Sequence, residues 1–118
     1  MNSSRILVID DEIEVCMLLS NYLVKKQREV EYATTLKEGI EIFQRSKPGI
    51  IILDNNLPDG YGIDNIGLFR ELNPEVLVIL ISARSDLKED AIEKGADSFM
   101  EKPISFSLLN SFLEERQA

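Results

Sequence analysis

Apolar positions in this chain alternate between two kinds of pattern, and the alternation repeats five times. Arg5 to Ile9 is a short aliphatic run of strand length, and from about Glu12 to Lys26 the residues Val15, Leu19, Tyr22 and Leu23 recur at near-helical spacing. Glu29 to Ala33 alternates polar with apolar, as a half-buried strand does. Thr35 and Glu38 then form a Thr-x-x-Glu capping box ahead of the helical stripe Leu36, Ile40 and Phe43. Pro48-Gly49 breaks that helix before a third strand, the aliphatic run Ile50 to Leu53. Beyond it Ile63, Ile66, Phe69 and Leu72 mark a third helix stopped by Asn73-Pro74. Val76 to Ile81 reads as the fourth strand. Ser85 reads as the cap of a short helix through Lys94, with Gly95 at its C-terminal stop. Asp97 to Glu101 gives a weaker fifth strand, and a last helix from about Ser105 to Arg116 carries Phe106, Leu109, Phe112 and Leu113.

Five strands alternating with five helices predict an α/β fold, a parallel sheet covered on both faces. The first, third and fourth strands are almost wholly aliphatic, as central positions require. The second and fifth admit Glu31, Asp97, Ser98 and Glu101, which places them at the edges. With right-handed crossovers this composition selects the doubly wound order 2-1-3-4-5. Its switch point lies between strands one and three, and ligands bind there, outside the carboxyl ends of the strands.

The length of 118 residues and 44% hydrophobic content suit a single domain spanning 1–118. The longest apolar stretches are far too short to span a bilayer, and the N-terminus has no leader-like pattern, so a cytoplasmic protein without membrane contact is expected. One cysteine, Cys16, and no histidine exclude disulfide frameworks, CxxC motifs and His-dependent catalysis, and leave Cys16 as a core residue. A net charge of −8 argues against direct nucleic-acid binding and for a cation or a basic partner.

That charge gains meaning from where the polar groups fall. Asp10 and Asp11 close the first strand, Asp54 the third and Ser82 the fourth, while Lys102 follows the fifth, so all five should meet at one sheet edge. Carboxylates so close repel by about 4 kcal/mol per pair at roughly 4 Å and an effective dielectric near 20, and they call for a cation. An all-oxygen set beside a lysine suits a hard divalent ion, Mg²⁺ above zinc or copper, and Mg²⁺ among carboxylates usually accompanies phosphate.

The segments "ILVIDDE", "IIILDNNLPDGYG", "ILISA" and "FMEKP", in this order and spacing, resemble the receiver domain of bacterial two-component response regulators over essentially the whole chain. The resemblance implies a flavodoxin-like fold. It implies that Asp54 is the phosphoacceptor, taking a phosphoryl group from a phosphohistidine on a sensor histidine kinase or phosphotransfer protein. Mg²⁺ would be bound by Asp11 directly, by Asp10 through water, by Asp54 and by the backbone carbonyl of Asn56. Ser82 matches the hydroxyl residue that bonds a phosphoryl oxygen, Lys102 the lysine contacting the same group, Phe99 the switch aromatic and Lys102-Pro103 a cis peptide. Asn55, Asn56 and Arg84 would border the pocket and tune the lifetime of the phosphoryl group. An output domain or downstream protein would use the face of the fourth helix, fifth strand and fifth helix, here carrying Lys88, Glu89, Glu93 and Lys94, and the resemblance allows a homodimer on phosphorylation. Such a chain is a signalling domain that assists its own phosphorylation and dephosphorylation, either standing alone or as part of a longer regulator.

Plainer readings stand beside these. Asp11 with Glu14 could be an N-cap and its box partner, and Asp54 to Gly60 a simple turn. Ser82 could merely end a strand, Lys102 could be a solvated surface lysine, and Phe99 could be core. Among other classes, a pseudo-receiver serving only as a binding module keeps the fold without the chemistry. A haloacid-dehalogenase-type phosphatase would need Asp-x-Asp where this chain has Asp10-Asp11-Glu12. Neither GxGxxG nor GxxxxGK occurs, which weakens a nucleotide-binding reading.

Overall fold

The computed structural model describes residues 2–117. Its strands are β1 (Asn2–Ile9), β2 (Val30–Ala33), β3 (Pro48–Asp54), β4 (Leu77–Ser82) and β5 (Ser98–Glu101), and its helices α1 (Ile13–Lys25), α2 (Leu36–Ser46), α3 (Ile66–Leu72), α4 (Lys88–Glu93) and α5 (Phe106–Gln117). The strands form one parallel sheet in the order β2-β1-β3-β4-β5, with β2 and β5 at the edges as their mixed composition requires. Among the described residues no helix is long and apolar enough to cross a membrane.

Successive strand residues face opposite sides of a sheet, and this explains the unbroken aliphatic runs. In β3, Ile51 and Leu53 join a core with Leu36, Phe43, Ile66 and Phe69 on the α2–α3 side. Ile50 and Ile52 join a second core with Cys16, Leu19, Leu23, Leu109 and Leu113 on the α1–α5 side. Every residue of β3 is buried. The register aligns the strand ends: Ile9 lies opposite both Ala33 and Leu53, Asp54 opposite Ile81, and Ser82 opposite Glu101. The residues following those ends therefore share one edge.

The elements depart from the sequence reading at several places, beginning with a first strand that starts at Asn2. Pro48 opens β3 instead of preceding it, a position where a missing N–H is tolerated. A 3₁₀ turn, Gly62–Asn65, leads into α3. Another, Ser85–Leu87, leads into α4, so Ser85 lies inside the turn and caps nothing. Arg84 is the entry residue, with its side chain paired to Asp86 and its N–H donated to Ser82 Oγ. Gly95, at φ +109°, ends the segment after α4 as its type predicts.

The start of α2 is capped twice. Thr35 Oγ1 accepts the Glu38 N–H at 3.1 Å, and Glu38 Oε1 accepts the Thr34 N–H at 3.1 Å. The two remaining free N–H groups of the first turn, on Leu36 and Lys37, donate to the Asp59 carboxylate at 2.8 and 3.0 Å, from a turn more than twenty residues downstream. These hydrogen bonds favour the ionised form and hold the Asp59 carboxyl below the usual range. Substituting Asp59→Ala should therefore cost about 1 kcal/mol in urea denaturation at neutral pH. Because the group's pKa is lower in the fold, its contribution exists above the ordinary carboxylate range and fades as pH falls, so the wild-type and variant curves should converge in acid. Parallel curves at every pH would count against the capping role.

Candidate functional site

Four strand ends build the site. Asp10, one residue past β1, is fully buried; its Oδ1 accepts the Glu12 N–H at 2.9 Å and its Oδ2 faces Lys102 Nζ at 3.1 Å. That second oxygen has the ionic contact but no well-directed hydrogen bond. Asp11 and Glu12 are exposed beside it. Glu12, not Asp11, is the entry residue of α1 and makes no side-chain cap, so the capping-box reading of Asp11 and Glu14 does not hold and the Asp11 carboxylate is left to face the site.

Asp54 ends β3, almost wholly buried, with Oδ1 at 3.3 Å from Lys102 Nζ. The loop behind it is held by Asn55, whose backbone N–H donates to the Ile81 carbonyl at 2.9 Å and whose side-chain oxygen accepts the Ile63 N–H at 3.0 Å. The chain then passes so close that a Cβ on Gly62 would lie 2.4 Å from the Asp54 carbonyl oxygen, which only glycine tolerates. Between them Asn56–Leu57 pairs with Gly60–Tyr61 as a two-residue hairpin that leaves Asn56 exposed at the site.

Lys102 follows β5. Its N–H donates to the Ser82 carbonyl at 2.9 Å and its peptide bond to Pro103 is cis. Its ammonium reaches Asp10, Asp54 and, at 3.3 Å, Glu12. A cavity of about 280 Å³ opens over these groups, lined by Asp11, Glu12, Asp54, Asn56, Ala83 and Lys102. Ser82 is buried at the end of β4 with its hydroxyl accepting from Arg84; Phe99 is partly buried against the α2–α3 core; the Arg84 side chain pairs with Asp86 and does not line the cavity. Neither Ser82 nor Phe99 lines the cavity.

The electrostatics are those of too few cations. Burial raises the Asp54 carboxyl to about 6, Asp10 adds repulsion, and Lys102 only partly offsets them. Burial likewise raises Asp10 against the opposing Glu12 N–H and Lys102. Burial alone would lower Lys102, but its carboxylate partners, Asp10 first, push it up to about 12. Carboxylate oxygens of Asp10, Asp11 and Glu12 all lie within 4.8 Å of one another. An all-oxygen donor set with a buried, poorly satisfied oxygen fits a hard divalent cation. Cys16, which the site does not use, donates its thiol to the Asp10 carbonyl at 3.2 Å and is pushed up to about 11 by burial, so it behaves as core.

The family of the response regulator receiver domain matches residues 6–114, and the chain belongs to that family. It is 34% identical over 110 residues to the transcriptional regulatory protein YxdJ of Bacillus subtilis, a match covering 90% of this chain and 47% of that protein. It is 32% identical over 103 residues to the chemotaxis protein CheY of Thermotoga maritima, covering 85% of this chain and 86% of that one. The beryllofluoride-activated NtrC4 receiver domain dimer superposes with a TM-score of 0.88 at 32% identity, covering 95% and 94% of the two chains. The chain thus spans about half the length of relatives such as YxdJ and most of CheY. It is a signalling domain of two-component systems; receiver domains bind Mg²⁺ at an acidic pocket, and this chain carries an acidic cluster of Asp10, Asp11 and Glu12.

The raised Asp54 carboxyl has a thermodynamic consequence. The folded chain keeps this proton up to about pH 6, whereas the unfolded chain releases it near 3.8, so stability falls as pH rises through that window and the full penalty applies above it. In the metal-free protein, Asp54→Asn should raise stability by roughly 2–3 kcal/mol at pH 7 and by little at pH 4, measured by urea denaturation. Destabilisation at pH 7 would show that the Lys102 pair outweighs burial.

Proposed function

We propose that the chain acts over 1–118 as one receiver domain in which Asp54 accepts a phosphoryl group from a phosphohistidine of a sensor kinase or phosphotransfer protein. The observation that carries this reading is a buried carboxylate at a strand end, opening on an acidic cavity and 3.3 Å from a lysine ammonium. An Asp54 oxygen forms the new bond to phosphorus as the donor's P–N bond breaks, and the imidazole leaves with the electron pair. The rigid strand fixes the line of approach, and Lys102 offsets charge on the transferring oxygens. Asp10, Asp11, Asp54 and the Asn56 carbonyl would hold Mg²⁺, which when bound supplies further positive charge to those oxygens.

The hydroxyl of Ser82 accepts from Arg84 N–H at 3.1 Å, so its own proton remains available for a phosphoryl oxygen. Bonding it there would draw the end of β4 inward and make room for Phe99, which has no hydroxyl and reports its state by burial alone. The change would reach the face of α4, β5 and α5, where Lys88, Glu89, Glu93 and Lys94 form a mixed-charge surface for an output partner or a second copy of the chain. The dimer of the activated NtrC4 receiver domain supports the second of these.

The test is incubation with Mg²⁺ and acetyl phosphate, followed by intact mass. The wild type should gain one phosphoryl group, and Asp54→Ala should gain none. A wild type without the gain, or an Asp54→Ala variant that keeps it, overturns the assignment. Ser82→Ala should still be modified, while the amide shifts that beryllofluoride induces across α4 and β5 shrink by at least half; shifts equal to wild type would remove Ser82 from the switch.

A further inference from the structure

Lys102 has three N–H donors, and in this structure three carboxylates stand against it, Asp10 at 3.1 Å and Asp54 and Glu12 each at 3.3 Å. The three partners are not equivalent. Asp10 and Asp54 are buried at strand ends, whereas the Glu12 side chain is 58% exposed and stands at the rim of the cavity. Glu12 is anchored through its backbone, which donates to Asp10 Oδ1 and accepts from Val15 and Cys16. Its side chain caps nothing, and its carboxylate is hydrogen-bonded by Lys102.

A phosphoryl group entering the cavity must draw on an ammonium already held among three carboxylates, of which Glu12 takes the directed hydrogen bond while Asp10 and Asp54 make ionic contacts. The partner that can yield without unpacking a strand end is Glu12. We infer that Glu12 is a positioning residue for phosphotransfer, the exchangeable partner that holds Lys102 at the cavity rim in the unmodified chain and gives up that contact to an incoming phosphoryl oxygen. This rests on the phosphoacceptor reading of Asp54. It adds that donor binding is in competition with a side chain of the protein itself, so Glu12 sets how readily small phosphodonors are used.

Two substitutions separate contact from charge. Glu12→Ala removes both; Glu12→Asp keeps the charge but shortens the reach by about 1.5 Å, beyond the Lys102 contact. Both should lower the acetyl phosphate concentration giving half-maximal phosphorylation by about two- to fivefold, the size expected of a half-exposed ion pair, with thermal stability nearly unchanged. In the metal-free protein both should also move the NMR signal of the Lys102 ammonium. A Glu12→Asp variant that matches wild type while Glu12→Ala differs would show that only the local field acts, and overturns the proposal. So does an unmoved ammonium signal in both variants. Should the wild type take up no phosphoryl group, the phosphoacceptor reading fails, and the ammonium signal still decides the role of Glu12.

Discussion

One ammonium shared by buried carboxylates is the interaction on which this structure turns. Asp10 and Asp54 are held out of water at the ends of two central strands, and among the described residues the cation that reaches both is Lys102, itself only 19% exposed. Burying an unpaired carboxylate costs several kcal/mol, so neither aspartate would be sustainable alone. The ammonium makes the cluster tolerable without making it neutral, and that residual deficit is what gives the edge its appetite for a cation.

The fold supplies the rigidity this arrangement needs. β3 is buried along its whole length and paired on both sides, so Asp54 cannot relax outward as a loop aspartate would. Asn55 and Gly62 fix the loop behind it, and Asp59 ties that same loop to the start of α2. Opposite the site, Arg70 on α3 bonds the Gly95 carbonyl and the Asp97 carboxylate, which in turn accepts the Val78 N–H at 2.8 Å. That clamp secures the edge strand at its beginning and leaves its far end, where Lys102 emerges, to be set by the site.

Much of this was legible in the sequence because it follows from local pattern. The almost wholly aliphatic composition of strands one, three and four against Glu31 and Glu101 in the outer two pointed to their order, and the position of polar residues after each strand to the shared edge. The capping box at Thr35 is a short-range motif and appears as read, except that Glu38 reaches the Thr34 N–H. What escaped was nonlocal. Asp59 reads as a turn residue and Asn55 as a pocket rim, because capping a helix or bracing a strand from a distant loop leaves no periodic trace. Ser85 has the right type for a cap but stands one residue inside the turn. The reach of Lys102 to Glu12 depends on side-chain paths from two elements ninety residues apart in sequence, and no spacing rule encodes it.

The metal-free site holds more buried negative charge than Lys102 can balance. Titration of the Asp54 carboxyl by carbon-detected NMR in the metal-free protein measures this balance at its source. The expected midpoint is about 6, well above the ordinary 3.8, because burial and Asp10 outweigh Lys102. A midpoint at or below 3.8 would contradict it, since Lys102 would then already satisfy the site.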